Sequence, residues 1–181
     1  MKNMPLSLLL LVLFLTACAP GAATPTAQPA ADNPTPNPAA GFDLEAVMLQ
    51  PDDLPDRIMP ADFFDDVPPA LYQVPRAEKI YSRGLVWADQ AGGGEAGFLV
   101  GLVYASPQAL ETAWNTITED LFSMEAVEGL GERAAADFSQ VAFTRCQTLV
   151  FVRIDGVYLE EDILPLAKRI DNRLLREGCL Y

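Results

Sequence analysis

The side chains of this 181-residue chain that could do chemistry are carboxylates and cysteines, because it contains no histidine. Without an imidazole it cannot build a Ser-His-Asp or Cys-His catalytic site, an HExxH zinc site or the usual haem ligand. Ser-Lys chemistry needs a buried lysine, and after Lys2 only Lys79 and Lys168 remain. Two acidic groups, Asp65-Asp66 and Glu160-Glu161-Asp162, could in principle supply the acid and base of glycoside hydrolysis. Each has a plainer role, the first on an exposed loop and the second as complement to the positive end of a helix. The run Asp52-Asp53-Leu54-Pro55-Asp56 offers oxygens to Ca²⁺ but lacks the alternating ligands and glycine of an EF-hand loop. Solvated acids that partly pair with basic residues elsewhere are the plainer account, and neither a metal nor a cofactor is expected. The three cysteines, Cys18, Cys146 and Cys179, form no CxxC, so thioredoxin-like redox chemistry lacks its motif.

Charge narrows the partners further. There are 25 acids against 12 bases, a net −13. Nucleic-acid binding depends on clustered Lys and Arg that displace phosphate counterions, so no nucleic-acid partner is expected. Half of the residues are apolar, which fits a globular protein rather than a disordered one.

The elements that must position these side chains can be read from residue 42 onward. Residues 43–49 read as a short helix, and Gln50 to Pro75 as a Pro-punctuated irregular segment, so that 42–75 forms an acidic N-terminal arm. Lys79 to Asp89 and Ala96 to Ala105 read as strands joined by the hairpin connection Ala91-Gly92-Gly93-Gly94-Glu95. Phe98 to Tyr104 is apolar on both faces, the pattern of a central strand covered on both sides. Ser106-Pro107 starts a helix, with serine as cap and proline where no N–H is needed. It runs to about Phe122, with Leu110, Ala113, Trp114, Ile117 and Leu121 on one face. Short strands follow at Arg133–Phe138 and Val141–Arg145, then a firmer one at Thr148–Ile154 turned by Asp155-Gly156.

In the final helix Ile163, Leu166, Ala167, Ile170 and Leu174 recur at helical spacing. Glu160, Glu161 and Asp162 precede them, Lys168, Arg169, Arg173 and Arg176 fill the C-terminal half, and Gly178 stops the helix. The expectation is an α+β domain of order ββαβββα after the irregular arm, an antiparallel sheet with both long helices on one face. The other face would carry Trp87, Leu99, Val103, Phe143 and Phe151. Either the arm covers it with Phe63, Phe64, Leu71 and Tyr72, or it forms a groove or partner surface. Coverage is the plainer reading, since large bare apolar patches are uncommon in monomers.

The N-terminus carries an address. Lys2 precedes an apolar run from Leu6 to Leu15 broken only by Ser7, the n-region and h-region of a secretory signal peptide. About ten apolar residues are too few for a permanent span, which needs about 20. The tetrad Leu15-Thr16-Ala17-Cys18 then resembles the lipobox of bacterial lipoproteins. The resemblance implies a signal peptide over 1–17, a diacylglyceryl group on the Cys18 sulfur, cleavage before Cys18, and acylation, as by palmitate, of the new N-terminus. It also implies an exported protein on the outer side of the cytoplasmic membrane or at the outer membrane. Ala19 stands where some lipoproteins carry the aspartate that retains them at an inner membrane. Each buried methylene contributes about 0.8 kcal/mol, so two or more chains suffice as an anchor.

Residues 19–41 hold eight Ala, six Pro, three Thr and two Gly. A segment so poor in large apolar groups cannot offset its ordering entropy, so 18–41 is expected to be a lipidated, disordered tether. Its 23 residues after the cysteine would reach roughly 70 Å fully extended. The remaining 42–181 is the size of one domain with a real core.

With Cys18 committed to lipid by that resemblance, Cys146 and Cys179 remain, an even pair in an exported domain where disulfides persist. If the last helix runs antiparallel to Thr148–Ile154, its end returns near Cys146. Closing the 33-residue separation would stabilise by roughly 3–4 kcal/mol. Two separate buried thiols are the other possibility.

Beyond the leader, the turn Gly129-Leu130-Gly131-Glu132-Arg133-Ala134, the strands around Arg145-Cys146-Gln147 and the terminal amphipathic helix resemble uncharacterised bacterial lipoproteins. They are also similar to extracytoplasmic sensor-like domains of some bacterial serine/threonine kinases. These are packing motifs and carry no functional residue. The expectation is a membrane-anchored, non-catalytic, sensor-like domain that binds a small ligand or an envelope protein. The alternative is a carboxylate-based envelope hydrolase.

Overall fold

A computed structural model describes residues 43–89 and 94–178. Its centre is one seven-stranded sheet with every neighbour antiparallel, so the α+β class with an antiparallel sheet holds. The strands are β1 (Ile58–Phe63), β2 (Lys79–Trp87), β3 (Glu95–Val103), β4 (Glu125–Ala126), β5 (Arg133–Asp137), β6 (Gln140–Arg145) and β7 (Thr148–Ile154), in spatial order β1-β2-β3-β7-β6-β5-β4. The helices are α1 (Leu44–Val47), α2 (Pro107–Asn115) and α3 (Leu164–Arg173). Residues 90–93 of the hairpin connection lie outside the described residues, but β2 and β3 pair antiparallel on either side of them.

The expected order needs correction at both sheet edges. The arm is not wholly irregular: Ile58–Phe63 pairs with β2, from Ile58 opposite Trp87 to Phe63 opposite Arg83. Four exposed positions, Pro60 among them, hide this strand from period-2 reading, and an edge is where proline is tolerated. The two-residue β4 extends the other edge against β5 and has no propensity signal of its own.

The larger correction concerns the helices, which pack on opposite faces. Successive strand side chains point to opposite sides. Phe98, Val100 and Leu102 of β3 and Leu149 and Phe151 of β7 pack with Leu110, Ala113 and Ile117 from α2 and the turn after it. Leu99 and Val103 of β3 and Val150, Val152 and Ile154 of β7 pack with Ile163 and with Leu166, Ala167, Ile170 and Leu174 of the last helix. A central strand apolar on both faces needs a cover on each. One helix per face provides it, at roughly 1.5–3 kcal/mol for each large side chain removed from water. The expected stripe of aromatics divides accordingly. Trp87, Leu99, Val103 and Phe143 lie on the α3 side, and Phe151 lies on the α2 side.

The arm serves both layers. In α1, capped by Asp43 Oδ1 accepting from the N–H of Glu45 at 3.0 Å, Leu44 and Val47 go into the α3 layer, followed by Met48. Leu71 goes into the α2 layer. Phe63, Phe64 and Tyr72 stay exposed, so of the four arm residues expected as cover only Leu71 is buried.

Both long helices begin and end close to expectation. Ser106 Oγ accepts the Ala109 N–H at 3.1 Å, and α2 continues as a π-helical turn, Thr116–Leu121, to the expected end. Within that turn the Thr118 hydroxyl donates back to the Trp114 carbonyl at 2.9 Å, a bond that competes with regular helix geometry. The last helix is π-helical at each end, Leu159–Ile163 and Leu174–Gly178.

Of the ion pairs that the last helix makes among the described residues, two close ones rest on buried carboxylates. Asp171 holds Arg145 in a two-pronged pair at 2.7 and 2.9 Å and accepts the Gly131 N–H at 3.0 Å. Asp53 pairs with Arg173, whose guanidinium also donates to the carbonyls of Val47 at 2.9 Å and Met48 at 2.7 Å. The first joins the helix to the β5–β6 region and the second joins it to the arm.

Candidate functional site

Of the acids singled out from the sequence, Asp65 and Asp66 stand apart, whereas Asp52 and Asp53 line one small pocket with Glu161, Asp162 and Arg169. Asp65 and Asp66 are exposed on a shallow depression beside Tyr72 and Arg76, and Asp66 Oδ1 accepts the Val67 N–H at 2.8 Å. Glu160 and Glu161 line a different cavity. Asp162 is occupied locally, accepting the Tyr158 N–H at 3.0 Å and pairing with Arg57 at 3.3 Å. In the arm, Asp52 and Asp56 are exposed, whereas Asp53 is buried and taken up by Arg173. Among the described residues no three His, Cys, Asp or Glu side chains converge as metal ligands.

Of the cysteines, Cys18 and Cys179 lie outside the described residues. Cys146 is buried at 3% exposure in the β6–β7 turn. It and Gln147 adopt positive φ, 51° and 61°, and its N–H donates to Glu132 Oε1 at 3.1 Å.

Among the described residues, two groups whose ionisation the fold shifts are core tyrosines. Burial pushes Tyr104 above its usual range, and its hydroxyl donates to the Pro75 carbonyl at 2.9 Å. Burial also raises Tyr81; neighbouring Arg83 opposes the shift, and Glu45 and Asp53 add to it. Both are structural groups.

Two larger grooves remain. One, of about 740 Å³, runs over the β2–β3 end of the sheet between Phe64, Pro68, Gly84 and Phe98. Its cation, Arg153, is already paired with Asp155 at 3.1 Å.

The other groove, of about 900 Å³, lies between the β5–β6 turn and the start of the last helix. Three aromatic rings border it, Phe122, Phe138 and Tyr158, together with the carboxylates of Glu125, Asp137, Glu160 and Glu161. Phe122 ends the turn after α2 and is held by stacking on Phe151, centroids 5.1 Å apart. Phe138 sits in the tight turn joining β5 to β6. There Asp137 Oδ1 accepts the Phe138 N–H, and Asp137 Oδ2 accepts from Gln140 Nε2 at 3.4 Å. This locks the backbone with the ring outward, 91% exposed. Tyr158 follows the Asp155-Gly156 turn, its N–H bound to Asp162, and its ring is 70% exposed. Among the described residues no Lys or Arg lines this groove.

Sequence reading had treated Phe122 and Phe138 only as element ends and had passed over Tyr158. For Phe138 the available signal was position, because an aromatic inside a two-residue turn has little core to enter; Tyr158 offered none, since the neighbouring Val157 does enter the core. Comparison with protein-family models, with curated proteins and with solved structures finds no match to this chain.

Proposed function

We propose that this chain is an exported lipoprotein, anchored through lipid on Cys18, whose domain binds a partner at the aromatic groove and is not catalytic. The anchor rests on the Leu15-Thr16-Ala17-Cys18 tetrad after its apolar run, and on the Pro- and Ala-rich tether that follows. The binding reading is carried by one observation: Phe138 and Tyr158, at 91% and 70% exposure, border the same groove. A large ring left in water forfeits roughly 1.5–3 kcal/mol of burial, and a pair of such rings at one groove is the composition of a contact surface.

The hydrolase alternative draws on the four carboxylates of the same groove. A catalytic acid must stay protonated near neutral pH, which requires an apolar enclosure around the carboxyl group. Glu125, Glu160 and Glu161 are exposed to water, and Asp137 is tied to its own turn. The groove therefore supports binding rather than acid–base chemistry.

A Cys146–Cys179 bridge belongs to the same proposal. It is supported by the burial of Cys146 and by the Arg145–Asp171 pair, which brings the last helix beside the β6–β7 turn. The proposed function is tested by mass spectrometry of the protein extracted from membranes. A diacylglyceryl group on an N-terminal Cys18 is expected, and an N-terminus at any other residue without lipid would refute it.

A further inference from the structure

Three rings elsewhere in this fold, the half-buried Trp114 and Trp87 and the exposed Phe63, show what chemistry a partly open ring accepts. Arg133 lies over the Trp114 ring at 4.5 Å and pairs with Glu111 at 2.7 Å. Arg57 lies over Trp87 at 5.6 Å and pairs with Asp162 at 3.3 Å. Arg83 lies over Phe63 at 4.3 Å. Twice, then, the molecule builds a sandwich of aromatic face, guanidinium and carboxylate. At the groove, Phe138 and Tyr158 supply the faces, and Glu125, Glu160 and Glu161 supply the carboxylates. Among the described residues no guanidinium covers these rings.

We propose that this groove binds an arginine-bearing peptide segment, whose guanidinium groups stack on Phe138 and Tyr158 and pair with Glu125, Glu160 and Glu161. Charge complementarity selects a cationic occupant, because the groove is acidic and, among the described residues, no Lys or Arg lines it. The planar guanidinium, rather than an ammonium, satisfies ring and carboxylate together. The proposal rests on the reading of the groove as the binding surface and adds the identity of its occupant.

The test uses the full lipidated chain in non-ionic detergent. A labelled peptide of six arginines alternating with glycine is titrated by fluorescence anisotropy, beside a glutamate counterpart and a neutral oligosaccharide, maltohexaose. The arginine peptide is expected to bind and the glutamate peptide is not. Phe138→Ala with Tyr158→Ala is expected to weaken binding about tenfold at unchanged net charge, as the loss of two exposed cation–π contacts predicts. Glu160→Gln with Glu161→Gln is expected to weaken it and to reduce its salt dependence. Asp65→Asn with Asp66→Asn, remote from the groove, is expected to change it less than twofold. Equal weakening by the remote pair, or no effect of the ring variants, would mean unspecific attraction to an acidic protein and would overturn the proposal. So would absence of binding by the arginine peptide. Should maltohexaose bind instead, and bind in a ring-dependent way, the groove would remain the binding surface and only its cationic occupant would fall. Since every ring and charge altered here is exposed, an unchanged urea midpoint confirms that each variant is folded.

Discussion

Replacing Arg173 by methionine should cost the domain about 3 kcal/mol. Arg173 donates to both oxygens of Asp53, whose side chain is 5% exposed, and to the carbonyls of Val47 and Met48. Methionine fills much of the same space but leaves a buried carboxylate and two carbonyls without these donors. Breaking a buried pair from one side typically costs about 3–5 kcal/mol. Asp53 keeps the Gln50 N–H at 2.8 Å and a distant Arg169 at 3.9 Å, which places the loss at the lower end. Equilibrium urea unfolding followed by fluorescence of Trp87 and Trp114 reads this directly. With a slope of about 2 kcal/mol per molar urea, the midpoint should fall by about 1.5 M. Arg169→Met, which removes a half-exposed guanidinium, should cost no more than about 1 kcal/mol. Combining Asp53→Leu with Arg173→Met should recover part of the loss, because no charge is then left buried alone. A loss below about 1 kcal/mol for Arg173→Met, or equal losses for Arg173→Met and Arg169→Met, would refute the clamp.

Glycine substitutions give a second check by the same unfolding assay. Gly131 has φ +63°, and a Cβ there would meet the Thr144 carbonyl oxygen at 2.5 Å, so Gly131→Ala should cost well over 2 kcal/mol. Gly129, with φ +74° and open space around it, should cost only the left-handed penalty of about 1–2 kcal/mol as alanine. The buried tyrosines set the alkaline limit. Their folded-state ionisation is raised above the ordinary value of 10.0, so their contribution is intact below pH 10 and is lost as pH climbs past it. Absorbance at 295 nm should show Tyr81 and Tyr104 ionising together with unfolding. Full ionisation of both in protein still folded would contradict this. For the cysteines, alkylation of the native protein followed by intact mass should label neither Cys146 nor Cys179 until reductant is added. Two thiols labelled without reductant would end the bridge.

Much of the fold was legible because its strands and long helices carry periodic signals. The all-apolar run at Phe98–Tyr104 even announced cover on both faces. Placing both helices on one side ignored that run, since the sheet would then have had only the arm for its other face. Strand β1 escaped notice because pairing with β2, not propensity, makes Ile58–Phe63 extended. Asp171 gave a usable hint: it falls at i+4 from Ala167, on the apolar stripe of the last helix, where a carboxylate requires a partner. Its identity, Arg145, depended on tertiary contact between segments 26 residues apart. The groove was the least legible part. Phe138 and Tyr158 come together through the meeting of a hairpin turn with a helix start, which no local pattern encodes.

Whether the protein is membrane-anchored is decided most directly in cells possessing lipoprotein-processing enzymes. Supplied with radiolabelled palmitate, the wild-type product should carry label and sediment with membranes, whereas Cys18→Ser should be unlabelled and recovered in the soluble fraction. An unlabelled wild-type protein, or a serine variant that still sediments like wild type, would contradict the account at its root.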